Sequence, residues 1–282
     1  MSESRKFTSW LVRLDPKGYF SLDALVVSFA TTVLGKDPLA AEAYAQANRN
    51  SRWADVVSLQ QDLHLRGVAP LLVDVDMEAR TGKYLVPEVA GELVSRSRAI
   101  RCASRSRFLR SIDGLTAREY EALACVASSC AGADKVHLTP PGNEGGVDFF
   151  ALIRNPARCH VFEQSRSPLR VIGQCKMYSS PVSVDKVRQF IQTISSVCNQ
   201  SALTEQHVPA WFRGASGPVV GWIIGHSGFQ SGAVTLARNH GIVLSDSLDI
   251  AEICAQSRQF PLVKDSAEYD KLLRQRVAAL LN

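Results

Sequence analysis

What the sequence lacks narrows the field before any motif is read. Its seven cysteines, at 102, 125, 130, 159, 175, 198 and 254, are odd in number and form no Cys-x-x-Cys pair. That pattern suggests neither a disulfide framework nor a zinc knuckle. Several lie in apolar runs, where a free thiol acts as a small hydrophobe. The six histidines show no His-x-His or His-Glu-x-x-His spacing, so no zinc site is expected. His226 and Ser227 sit where a late strand ends, but no Ser/His/Asp spacing supports hydrolase chemistry of that kind. "GNEGG" at 142–146 lacks the GK[ST] ending of a phosphate loop and precedes a strand rather than a helix. No apolar run reaches membrane-spanning length. The opening MSESRKFTSW holds no secretory apolar stretch. The expected setting is therefore cytoplasmic, with no membrane partner. Repeats and low-complexity tracts are absent too.

What is present is 282 residues, 46% of them apolar, enough for one large domain or two modest ones. The net charge of +5 permits an anionic partner without requiring one. Positive charge gathers in "SRSRAIRCASRSRFLR", which holds Arg96, Arg98, Arg101, Arg105, Arg107 and Arg110 and no acid. Two readings stand side by side: guanidinium groups that contact DNA phosphates, or a solvated helix or linker face. The domain boundary is placed in this stretch, giving 1–110 as a mostly helical recognition or regulatory domain and 111–282 as a second domain.

In the first domain, "SLDALVVSFATTVLG", "DPLAAEAYAQANRN" and "SRWADVVSLQQDLHLRG" read as three helices, with Ser21 as an N-cap, Pro38 in a first turn, and Gly35 and Gly67 as stops. "VAPLLVDVDMEARTGKYLVPEV" reads as two strands around the turn "ARTGK". Three helices and a hairpin fit a winged-helix module, and equally a generic helical interaction domain. The second domain alternates. "LTAREYEALACVASSCAG" is a helix with Thr116 and Glu119 as a capping box. Strands over 147–153 and 170–178 follow, and then helix, strand, helix, strand, helix. That order predicts an α/β fold with a central sheet.

Two of those strands carry groups that a buried strand should not. "GNEGGVDFFALI" delivers Asp148, and "VIGQCKMY" delivers Gln174 and Lys176 on one face, since side chains alternate. Buried charge is costly unless paired or bound to metal. If the two strands pair, Asp148 sits beside Gln174 and Lys176. A carboxylate with a neighbouring carbonyl oxygen suits Mg²⁺. A lysine can orient a water and offset developing negative charge. Glu121, on the preceding helix, is a candidate second carboxylate, with nearby Glu119 as the alternative reading for a simple capping acid.

These residues carry a resemblance. Tyr120-Glu121, then Gly145-Gly146-Val147-Asp148, then Gln174-Cys175-Lys176, then a late strand followed by a helix bearing Ala233 and Ala237, resemble the Mrr-like branch of the PD-(D/E)xK nuclease superfamily. The resemblance covers about residues 112–256. It implies a restriction endonuclease-like core, with a mixed central sheet flanked by helices, and a Mg²⁺-dependent DNA endonuclease, with Mn²⁺ as a possible substitute, in restriction or antiphage defence. Carried over, Asp148, Gln174 and Glu121 are metal ligands, Gln174 replaces the more common acid, and Lys176 is the catalytic lysine. Tyr120 stands where Phe is usual. The segment "NPARCHVFEQSRSPLR" is longer than the compact hairpin expected there, and is read as an extra contact loop. DNA is the expected partner, a homo-oligomer the expected assembly, since cutting two strands calls for two sites. The alternatives are a nuclease-fold module that binds DNA or a protein partner without cutting, and a nuclease gated by a regulatory protein or signal.

Overall fold

The computed structural model describes residues 2–15, 18–84, 93–142, 145–153, 168–199, 207–261 and 266–281. The side chains of 74, 93–100, 102 and 266 fall outside this description, as does most of the long segment "NPARCHVFEQSRSPLR". The chain divides into two compact units, Met1–Arg110 and Ser111–Asn282.

The first unit runs α1 (Glu3–Leu11), β1 (Tyr19–Ser21), α2 (Leu22–Thr32), α3 (Pro38–Leu65), β2 (Leu72–Asp76), β3 (Thr81–Tyr84) and the start of α4 (Leu93–Asp113). Its three strands form an antiparallel sheet in the order β1-β3-β2. The unit is mostly helical, with β2 and β3 as its hairpin. Two of the predicted helices prove to be one. α3 runs unbroken through Asn48–Ser51, capped at its start by the Asp37 side chain, which accepts from Ala40 N at 2.9 Å. The polar "NRNS" stretch reads as a break, but nothing in it forbids helix. The hairpin turn lies earlier than "ARTGK". Asp76 Oδ1 accepts from Glu78 N and Ala79 N, and Arg80 takes the left-handed conformation at φ 57°, so Thr81-Gly82-Lys83 is already strand. Trp10, Phe7 and Phe29 pack together in this unit's core, as do Phe20, Trp53 and Tyr84.

The second unit is built on α5 (Ala117–Cys130), β4 (Ala133–Leu138), β5 (Phe149–Ile153), β6 (Leu169–Lys176), α6 (Val184–Cys198), the short α7 (Ala210–Arg213), β7 (Val219–Gly225), α8 (Ser231–Asn239), β8 (Val243–Asp246), α9 (Ser247–Gln256) and α10 (Ser266–Ala278). The sheet order is β4-β5-β6-β7-β8. β4, β5 and β6 are antiparallel neighbours, whereas β6, β7 and β8 run parallel. Parallel neighbours need crossovers, and α6 and α8 supply them. This is a mixed α/β sheet flanked by helices, as expected.

One face of the sheet is covered by α6 and α8, through Phe150, Ile172 and Ile223 from the strands and Val187, Phe190, Ala233 and Ala237 from the helices. α5 covers the antiparallel half, packing on β4, β5 and β6, with α9 and α10 behind it. Residues Ala122 to Ser128 of α5 are all buried, so the helix is enclosed nearly all round. Its small side chains let it lie close to the strands. The capping box that starts it is present: Thr116 N and Oγ1 both reach Glu119 Oε2, at 2.7 and 2.8 Å.

Gly173 marks the tightest point of the core. A Cβ there would lie 1.9 Å from the Phe149 ring, which instead stacks edge-on against Trp222. Gly173→Ala is expected to overpack this layer and cost about 1–3 kcal/mol. In a unit of this size that lowers the melting temperature by about 2–4 °C per kcal/mol. A thermal melt equal to that of the unsubstituted protein would show that the layer can open without cost.

Candidate active site

Asp148 begins where three strands meet. Its N–H donates to Gly173 O on β6 at 2.9 Å, and its carbonyl accepts from Thr139 N, just past β4, at 3.0 Å. The Thr139 hydroxyl lies within reach of the carbonyls of both Val147 and Asp148, at 2.8 and 3.0 Å. The turn before it depends on Gly146, at φ 72°, where a Cβ would also press on Thr193 Oγ1 at 3.1 Å. A residue with a side chain rarely adopts that conformation. The glycine pair thus delivers Asp148 to the sheet at a fixed place.

The carboxylate is half-buried. Asp148 Oδ2 accepts from Cys175 N at 2.6 Å, so one oxygen is tied to the main chain of β6 between Gln174 and Lys176. Burial raises the carboxyl pKa above its usual value. The Cys175 N–H and the Lys176 charge pull the other way, Glu121 adds to the rise, and Arg118 opposes it. Four charged groups therefore share one electrostatic neighbourhood. The Cys175 thiol is buried beneath them, and burial, then the Asp148 charge, push its pKa well up.

Gln174 is 7% exposed and donates through Nε2 to Gly146 O at 2.7 Å. The amide is oriented by the turn that delivers Asp148. Lys176 ends β6, half-buried. Its carbonyl accepts from His226 N at 2.9 Å, which extends the parallel pairing of β6 with β7 by one residue. The His226 ring lies edge-on to Tyr120, and its Nε2 is 3.1 Å from Asp113 Oδ1. His226 is thus bonded at the lysine end of the sheet through its main chain and held by Tyr120 and Asp113 through its ring.

Glu121 projects from α5, where Arg118 Nη1 donates to its Oε2 at 2.6 Å. The same guanidinium donates through Nη2 to Thr139 O at 2.7 Å. Glu119 is taken up by the capping box, and its hydrogen bonds to Thr116 lower its pKa. Arg118 and Thr139 are members of the cluster that motif reading overlooks. The available signal was positional: Arg118 is three residues before Glu121, so the two share a helix face.

The donor set suits a hard divalent cation. Asp148, Glu121 and Gln174 each have one polar atom fixed by the protein. Among the described residues, Asp148 Oδ1, Glu121 Oε1 and Gln174 Oε1 accept no hydrogen bond. Oxygen donors, two of them charged, match an ion that keeps several waters. No group of three His, Cys, Asp or Glu capable of holding a metal occurs among the described residues. Gln174 adds an amide, not a third acid, to Asp148 and Glu121.

The arginine run is less uniform than its sequence. It lies on α4, a single helix. The side chains of Arg96 and Arg98 lie outside the described residues. Arg105 is 3% exposed and donates to Ala69 O at 2.8 Å, inside its own unit. Arg110 reaches Arg13 O and Asp15 Oδ1, and Arg107 approaches the same aspartate at 3.9 Å. Arg101 is partly exposed. Burial takes Arg105 away from any phosphate-facing surface, and Asp15 shares the charge of two others.

A family model described as restriction endonuclease, Mrr_cat, matches residues 112–254. The fold is similar to that of the MspJI restriction endonuclease in complex with a 27-mer oligonucleotide, at 18% identity and TM-score 0.39, covering 78% of this chain and 43% of that one. It is also similar to the DNA modification-dependent restriction endonuclease AspBHI, at 17% identity and TM-score 0.38, covering 75% and 45%. The chain spans less than half the length of either. No curated protein matches.

The buried carboxylate carries a stability prediction. Because its folded pKa is raised, the folded protein holds the Asp148 proton more tightly than the unfolded chain does. Stability therefore falls as pH rises from the usual value of 3.8 through the raised folded value, and the full cost is present above it. Asp148→Asn removes that slope and keeps a carbonyl to accept from Cys175 N. In melts run across pH in EDTA, the variant is expected to match or exceed the unsubstituted protein at pH 7. A lower melting temperature there, with the acid limb unchanged, would contradict the account.

Proposed function

The chain belongs to the restriction endonuclease family, and from that premise we propose that it is a metal-dependent DNA endonuclease acting in restriction or antiphage defence. The observation that carries this reading is the cluster at the β5–β6 pair. Among the described residues, Asp148, Glu121 and Gln174 each keep one oxygen without a donor, and the Lys176 charge acts on Asp148. Mg²⁺, or Mn²⁺ in its place, would be held by Asp148, Glu121 and the Gln174 carbonyl. When bound, such an ion polarises a phosphoryl oxygen and acidifies a water.

The remaining work falls to the chain itself. Asp148 is held in place by backbone bonds from two neighbouring strands, so its free oxygen needs little reorganisation at the moment of reaction. Gln174 is aimed by Gly146 O and contributes a neutral oxygen. Lys176 orients the attacking water and offsets negative charge as it develops on the phosphate. Partial burial around Asp148, above the buried Cys175, weakens the screening of these charges by water.

The mostly helical first unit is the proposed recognition or regulatory domain, with DNA as the partner, and two copies would provide the two sites that double-strand cutting needs. Of the arginine run, Arg101, Arg107 and Arg110 are the described members that are partly exposed. A second reading rests on the amide at 174. With two carboxylates rather than three, the site holds a cation less strongly, which suits a nuclease gated by a partner or signal, or a module that binds DNA without cutting.

A supercoiled-plasmid assay tests this directly. Nicking or linearisation should require Mg²⁺ or Mn²⁺ and disappear in EDTA. Asp148→Ala and Lys176→Ala should each lower the rate by at least about 10²-fold while DNA is still retained in a gel shift. Cutting that survives both substitutions would overturn the assignment. Retention of DNA with no cutting under any condition would favour the second reading.

A further inference from the structure

We propose that Arg118 is a positioning residue for the metal site, acting through Glu121. The inference rests on the reading of Asp148 and Glu121 as cation ligands. Glu121 differs from Asp148 in how it is held. Asp148 is bonded into the sheet at its backbone and at one carboxylate oxygen. Glu121 stands on a helix, at the end of a side chain with three rotatable bonds. The described bond that orients its carboxylate comes from Arg118, whose Nη1 is 2.6 Å from Oε2.

Arg118 is itself anchored. Its second terminal nitrogen donates to Thr139 O at 2.7 Å. Thr139 in turn bonds the Asp148 carbonyl through its own N–H at 3.0 Å. A continuous chain of bonds therefore runs from Glu121 through Arg118 and Thr139 to the Asp148 backbone. It sets the position of the helix-borne acid against the strand-borne one. The planar guanidinium bridges the two acceptors through separate nitrogens, Nη1 and Nη2, whereas a lysine offers a single nitrogen on a flexible stem. The pair is partly buried, with 30% of the Arg118 side chain and 25% of the Glu121 side chain exposed, so water competes weakly for it.

The amide at 174 makes this support necessary. A site with a third carboxylate tolerates a loose ligand, because charge alone draws the cation in. Here two carboxylates face two cationic groups, Lys176 and Arg118. Affinity then depends on how well each free oxygen is placed, not on an excess of negative charge.

Mn²⁺ binding, followed by electron paramagnetic resonance of the free ion, tests the proposal without any cleavage. Arg118→Ala is expected to weaken binding by about 10–100-fold, the usual effect of removing a group that orients a ligand. Arg118→Lys should recover little of it. Glu121→Gln should weaken binding too, and the Arg118→Ala/Glu121→Gln double variant should be no worse than the weaker single, because the two substitutions remove one device. In plasmid cleavage Arg118→Ala should lower kcat and leave KM for DNA in place. Tighter Mn²⁺ binding in Arg118→Ala would overturn the proposal, since the arginine would then be a competitor for Glu121. So would full rescue by lysine, which would reduce its part to charge. Additive effects in the double variant would overturn it as well, as would a raised KM with kcat kept, which marks a phosphate contact. Asp148→Asn is the control for the reading beneath: if it binds Mn²⁺ as well as the unsubstituted protein, the metal site itself is misplaced, whatever Arg118 does.

Discussion

A carboxylate held inside a β-sheet by main-chain bonds is the constraint on which the second unit depends. Asp148 bonds β6 through its own N–H and again through its side chain, and bonds the end of β4 through its carbonyl. Three strands must be in register for these bonds to exist together. The register Phe149↔Gly173 provides it, and that register requires a residue with no side chain at 173. The chemistry and the packing are thus one problem. The glycine that admits the Phe149 ring also sets where Cys175 N lies, and with it where the Asp148 carboxylate can rest.

Much of this was legible in the sequence, for local reasons. Alternation in "VIGQCKMY" places Gln174 and Lys176 on one face, and the strand is observed to do so. The capping box at Thr116 and Glu119 depends on four residues and no tertiary contact, and it forms as written. Helix and strand order in the second unit follows from apolar period, and yields the mixed sheet. The same locality explains the misses. Whether "NRNS" interrupts a helix depends on what the helix packs against, so one long α3 reads as two. β1 is three residues long and owes its strand state to pairing with β3. α10, with its large share of charged residues, shows little apolar stripe, yet Leu273 and Val277 are fully buried.

The site was half legible. Asp148, Gln174 and Lys176 belong to motifs carried on adjacent strands. Arg118 and Thr139 belong to none, because their part arises only when α5 lies over the end of β4. The arginine run shows the converse. In sequence its six members look alike, but a helix distributes them around its circumference. Arg105 is turned inward to a main-chain carbonyl while Arg110 is drawn to Asp15. Charge density along a chain says little about charge density on a surface until the helix phase is known.

One feature of β6 has a wider use. Between the amide and the lysine stands Cys175, its thiol buried and held in the protonated form by the apolar layer and the Asp148 charge. A thiol in that state reacts slowly with alkylating reagents, since the thiolate is the nucleophile. It becomes reactive only when the strand separates from its neighbours. β6 thus carries its own chemical clock: the rate at which Cys175 is labelled reports how often the sheet opens there.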